Sequence, residues 1–248
     1  MAAACLLAAC ASPAPGRDGG SGSKASQLRL TGVWVAVGTF GNPAGPPPWS
    51  NTPWPDRPPF TDFGRSESAR LGDLKNVVPC QPGGPIFAMW ELGLFPLEIL
   101  EAPDRIVIKP ENSALARHIY LDRSTHPGDL DPTWMGDSIG KWEGDVLVVD
   151  TIGTNGKTRA INGVGSNALV SEDDAKARLP VSNELHLVER LRLVANGEVL
   201  EDEMTITDPK IYTAPIVVKH YWQRRPDITV LEYVCGERPR PEDEVNTK

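Results

Sequence analysis

Residues 185–207 read LHLVERLRLVANGEVLEDEMTIT, and their periodicity decides the fold. Apolar side chains recur at every second position: Leu185, Leu187, Leu191 and Leu193 before Asn196-Gly197, then Leu200, Met204 and Ile206 after it. Alternation with period two marks a β-strand with one face buried. Asn-Gly is a strong hairpin signal, because both residues tolerate the positive φ that a type I′ turn requires. The stretch is expected to form two antiparallel strands, Leu185–Ala195 and Glu198–Thr207.

The same pattern extends to both sides. Strands are expected at Leu30–Gly38, Leu97–Glu101, Arg105–Lys109, Leu115–Asp122, Ser138–Trp142, Val146–Ile152, Ile216–Gln223 and Ile228–Cys235. The turns between them include Pro103-Asp104, Glu143-Gly144-Asp145 and Arg225-Pro226-Asp227. One short helix is expected over Ser66–Val77, followed by a chain break at Pro79–Pro85. The stretch from Asn42 to Thr61 is Pro-rich with Trp49, Trp54 and Phe60 interleaved. Proline lacks a ladder donor, so this stretch is neither a central strand nor a helix interior. It reads as an extended segment pinned over a surface or an opening. Short loops join antiparallel neighbours. The fold class is therefore all-β, an antiparallel up-and-down meander with a Pro-rich N-terminal extension and one short helix. Such a meander closes into a barrel or splits into two packed sheets.

The amino terminus reads differently. Residues 1–10, MAAACLLAAC, are a short apolar run ending in small residues, the shape of an export signal. The run Leu7-Ala8-Ala9-Cys10 resembles the lipobox of bacterial lipoprotein signals, which implies lipidation of Cys10 and, with Ala11 and Ser12 after it, attachment at the periplasmic face of an outer membrane. An apolar run this short falls below the ~20 residues that span a bilayer, so the expectation is an anchor and not a span. Residues 11–27 are rich in Gly, Ser and Pro, the composition of a flexible tether. A single β-rich domain is expected over 28–248. Of the four cysteines, Cys80 and Cys235 remain for the mature domain, either as a disulfide or as two thiols.

Two further resemblances bear on the fold. The Gly32-x-Trp34 opening resembles the first strand of lipocalin-like (calycin) barrels, which implies closure. The block DPTWMGDSIGKWEGDVLVVDT, Asp131 to Thr151, resembles a block in a group of exported bacterial proteins with no assigned activity. Members of that group carry His where this chain has Asp137, so a role resting on a histidine there does not transfer.

Several side chains could carry chemistry. On the strand from Leu115, alternation sets Ala116, His118, Tyr120 and Asp122 on one face and Arg117, Ile119 and Leu121 on the other. The polar row is either an acid–base wall or a solvent-facing row. Glu189 interrupts an apolar row, while His186, Arg190 and Arg192 take the opposite face. A carboxylate in such a row is ion-paired, protonated or at an opening. Asp202, Glu232 between Val230 and Val234, and Asp150 in the row Val146, Val148, Ile152 raise the same question. His220 and Trp222 fall on the apolar face with Ile216 and Val218, where a histidine is a core residue or a general base. The loop from His126 to Asp137 carries His126, Asp129, Asp131 and Asp137. Its spacing matches neither an EF-hand nor a zinc signature, and turn-capping explains its acids, so no metal is expected. Candidate catalytic residues are thus Asp137, His118, Tyr120, Asp150 and Glu189. Candidate ligand contacts are Trp134, Trp142, His186, Arg190, His220, Trp222 and Glu232.

Composition narrows the function. The net charge of −8 and the lack of a basic cluster argue against nucleic acid as a partner. No Gly-x-Ser-x-Gly elbow, His-Glu-x-x-His pair, Walker loop or dinucleotide fingerprint is present, and no cofactor is expected. Three readings stand. The first is a tethered periplasmic barrel that binds a small organic molecule. The second is a cofactor-free lyase, isomerase or hydrolase on the same scaffold, and the third is an envelope interaction protein without a pocket. The oligomeric state is not legible.

Overall fold

The computed structural model describes residues 29–38, 51, 54–55, 57–72, 82–90, 95–157, 161–162 and 178–234. The expected signal segment, the tether, Cys10, Cys80, Cys235, Trp49 and most of the Pro-rich stretch before Pro58 lie outside the described residues. Within them the strands are β1 (Gly32–Ala36), β2 (Leu97–Glu101), β3 (Arg105–Pro110), β4 (Arg117–Tyr120), β5 (Asp137–Glu143) and β6 (Val146–Ile152), then β7 (Ile161–Asn162), β8 (Arg178–Leu179), β9 (His186–Val194), β10 (Val199–Thr207) and β11 (Ile216–Arg224). Nine of them form a closed barrel in the order β1-β11-β10-β9-β6-β5-β4-β3-β2, while β7 and β8 pair separately. The all-β class expected from the periodicity is observed, and of the barrel and the two packed sheets that it left open, the barrel forms.

Closure runs through β1. Its Trp34 lies opposite Leu97 of β2 and Arg224 of β11. The Arg224 guanidinium sits 4.2 Å from the centroid of the Trp34 ring, and the Trp34 indole donates to the Leu30 carbonyl at 2.9 Å. Gly32 belongs at this seam because its φ is +145° and a Cβ there would stand 2.9 Å from the Arg224 guanidinium. The inward rows then fill the interior with Trp34, Ile99, Ile108, Ile119, Val149, Leu191, Met204 and Trp222, all buried.

Four local differences from the sequence reading have physical causes. First, β4 and β5 pair in parallel, for two residues, because the long connection 121–136 carries the chain back along the barrel before β5 begins. Second, no strand forms over 228–234. Both edges of β11 are already taken, by β10 and by β1, so no edge is left for a further hairpin partner. This segment crosses the surface instead, with the Leu231 amide donating to the Glu111 carboxylate at 2.7 Å. Third, the β9–β10 turn is longer than two residues: Val194 pairs with Val199, and Ala195, Asn196 and Gly197 all have positive φ.

The fourth difference concerns the helices. Helix α1 (Asp62–Gly72) starts ahead of the expected Ser66, because the Thr61 hydroxyl caps it by accepting from the Gly64 amide at 2.9 Å. Residues 73–81 lie outside the described residues. A second helix, α2 (Gly84–Trp90), not expected from the sequence, starts at the end of the Pro79–Pro85 break. It buries Ile86 and Met89 in the barrel core. Among the described residues no helix is long and apolar enough to cross a membrane.

Candidate functional site

The β4–β5 seam is the weak place in the wall. Two cavities lined by described residues flank it. One, of about 450 Å³, lies between β4 and the loop 130–137, and His118, Tyr120, Trp134 and Asp137 all line it. Four of the residues singled out from sequence therefore share one cavity, with Leu115, Leu130 and Met135 as its apolar wall. The other, of about 560 Å³, is lined in part by Trp142, Arg123, Lys141 and Asp150.

The polar row of β4 faces outward, as one of its two readings had it: His118 is exposed, while Arg117 and Ile119 point into the barrel. The His118 and Tyr120 rings stack at 6.4 Å. The Arg123 guanidinium lies 3.8 Å from the Tyr120 ring centroid, and its Nη2 donates to Asp137 Oδ2 at 2.8 Å. The other oxygen of Asp137 faces His126 Nδ1 at 2.7 Å. From there a chain of contacts leads away from the cavity. His126 Nε2 stands 3.2 Å from Asp150 Oδ1, and His186 Nε2 approaches the same oxygen at 3.1 Å. An imidazole flanked by two carboxylates can donate to both only when each of its nitrogens carries hydrogen. His126 is largely buried, whereas the side chains of Asp150 and His186 are 42% and 47% exposed. The chain thus connects the cavity to solvent across the outer face of β5, β6 and β9.

Asp150, which the sequence leaves free to face either side, faces out. Both rows of β6 are apolar, and closure turns Leu147, Val149 and Thr151 inward, leaving Asp150 outside with Val146, Val148 and Ile152.

Glu189 does point inward, but it joins no cavity with Asp150 or His118. Its carboxylate takes a bidentate ion pair from Arg117, Nη1 to Oε1 at 2.8 Å and Nη2 to Oε2, with both side chains fully buried. Burial alone would lower the Arg117 pKa. The charge and hydrogen bonds of Glu189 outweigh that and raise it. The remaining donors of Arg117 reach Ser138 at 3.3 Å and Thr151 at 2.8 Å. Glu189 is held as the ion-pair partner of Arg117 and lines neither cavity. Asp202, also inside, has no hydrogen-bond partner for either carboxylate oxygen among the described residues. Burial and then the like charge of Glu189 push its carboxyl well above the usual range, against the pull of Arg117.

The other expected contacts scatter. His220 and Trp222 are core residues, with rings edge to face at 5.0 Å. His220 Nδ1 donates to the Met89 carbonyl of α2 at 2.7 Å. Arg190 lies on the outer face, 3.4 Å from Glu143. Glu232 is exposed on the irregular segment after β11, not in a strand.

Three participants were not singled out as site residues: Arg117, Arg123 and His126. Arg117 left a signal, since a cation in the apolar row of β4 mirrors Glu189 in the apolar row of β9. His126 had only its place in an acidic loop, and Arg123 had none. Among the described residues no group of three or more His, Cys, Asp or Glu side chains is arranged to hold a metal ion.

No family model matches the chain, and no curated protein matches it.

Proposed function

We propose that this protein is an exported barrel, anchored through a lipid on Cys10 at the periplasmic face of the outer membrane, that binds a small organic molecule in the cavity beside β4. The observation carrying the binding role is the convergence of His118, Tyr120, Trp134 and Asp137 on one opening of about 450 Å³. Apolar and aromatic walls with a few fixed polar groups are the usual make-up of a small-molecule site, and the size falls in the usual range. Asp137 is held from two sides by Arg123 and His126, so the polar end of the site is pre-organised. Support for the anchor rests on residues 1–27 of the sequence alone.

The binding role is tested by isothermal titration of the full chain with a library of aromatic fragments. Binders are expected, and Trp134→Ala should weaken them about tenfold or more through lost stacking area. Binders indifferent to Trp134→Ala and to Tyr120→Ala would place the site elsewhere. The anchor is tested separately, by metabolic labelling with a palmitate probe. Label should appear on the wild-type chain and be absent from Cys10→Ser.

A second reading, a cofactor-free acid–base enzyme at the same cavity, is favoured by one observation, the Asp137–His126–Asp150–His186 chain from cavity to solvent. Such a chain could return a proton taken from a bound substrate. Turnover of a bound fragment, with a turnover rate at saturating fragment slowed at least a hundredfold by His126→Asn, would establish it. Fragments recovered intact after long incubation would remove it.

A further inference from the structure

Resting on that binding role, we propose that the cavity selects an organic amine: a cation carried on an apolar, ring-sized body. The selection follows from which charges line the opening and which of them are already spent. No lysine or arginine lines it, whereas two carboxylates, Asp131 and Asp137, do. Asp137 is neutralised by Arg123, at 2.8 Å. Asp131 is different. It is exposed, and among the described residues it makes no ion pair or hydrogen bond. It lines the same cavity as Trp134, three positions before it in the loop, and a carboxylate free at the mouth of an apolar cavity carries uncompensated charge toward whatever enters.

The aromatic walls point the same way. The Tyr120 ring already holds cations, the Arg123 guanidinium at 3.8 Å and that of Arg105 at 5.6 Å. Trp134 is half-buried, and among the described residues its ring meets neither another aromatic ring nor a guanidinium. Its indole is the strongest cation–π acceptor among the side chains, and among the described residues it holds no cation of the protein. An ammonium between Asp131 and Trp134 would gain both interactions, with its hydrocarbon part against Leu130 and Met135. A carboxylate or phosphate placed there would meet Asp131 with like charge and no lining lysine or arginine beside it. The chain's net charge of −8 adds a field that steers cations toward its surface and anions away.

The test compares three molecules with one body and different charge: tryptamine, tryptophol and indole-3-acetate. Each is titrated calorimetrically into the full chain. Tryptamine should bind about tenfold tighter than tryptophol, the size of a single partly solvated charge interaction, and indole-3-acetate should bind weakest. The advantage of tryptamine should shrink as salt rises. Asp131→Asn, a substitution on an exposed loop, should bring tryptamine to within about twofold of tryptophol and leave tryptophol unchanged. Tryptophol or indole-3-acetate binding as tightly as tryptamine would overturn the amine assignment while leaving the binding role intact. So would a tryptamine advantage that survives Asp131→Asn. If none of the three binds, this proposal falls together with the binding role itself.

Discussion

His220 and Asp202 lie opposite each other across β10 and β11, both inside the barrel, and their protonation runs against the direction that solvent would set. The His220 Nδ1 must donate, since the Met89 carbonyl can only accept, and burial lowers its pKa to about 4 despite that bond. In the unfolded chain it titrates near 6.5. The folded state thus gains its full benefit above pH 6.5 and loses it as pH falls toward about 4, roughly 3 kcal/mol in all. Urea unfolding at pH 7, 5.5 and 4 should show this slope. His220→Gln, which keeps an N–H for Met89, should flatten it, and an unchanged slope would remove His220 as its cause. Asp202 has the opposite sign. Its raised pKa keeps the proton in the fold where the unfolded chain gives it up, so its contribution is complete below about pH 4 and is lost as pH rises. Asp202→Asn should match the wild type at pH 3 and have the higher unfolding midpoint at pH 7. A lower midpoint at pH 7 would mean that the carboxyl has a partner worth keeping.

Among the elements, one guanidinium ties four consecutive strands. Arg117 of β4 bonds Ser138 of β5, Thr151 of β6 and Glu189 of β9, with those strands adjacent in the barrel order. This tie spans the place where backbone pairing is thinnest, the two-residue parallel ladder between β4 and β5. Arg117→Met should destabilise by about 3–5 kcal/mol, because Glu189 is then left charged and unpaired in the core. The double variant Arg117→Met with Glu189→Leu should recover most of that loss in denaturant titrations. A double variant as unstable as the single one would show that the ladder itself needs the charge pair. That each shares a face with apolar neighbours was legible, since each interrupts an apolar row at period two. Their pairing was not legible, because it crosses two intervening strands. The strand β6 shows the opposite limit: with apolar residues in both rows, alternation separates Val148 and Asp150 from Leu147 and Val149 without saying which row is inside.

For the whole molecule, closure is the event that places everything else. It removes the free edge on which a strand at 228–234 would have paired, and so moves Glu232 from an expected core row to an exposed segment. It also turns Asp150 outward, where it meets His126 and His186. The candidate cavity was half legible. The block from Asp131 to Thr151 contains most of the loop that lines the cavity, and His118 and Tyr120 share one face of β4. That these two segments meet depends on the parallel crossover after β4, for which short-range turn chemistry carries no signal. The sequence by itself determined most of the strands, the two faces of each and the all-β class, because period-two burial and turn residues act over a few neighbouring positions. Only the tertiary structure decided which face is inside, which charges find partners and where the cavity opens, because those depend on contacts between strands far apart along the chain.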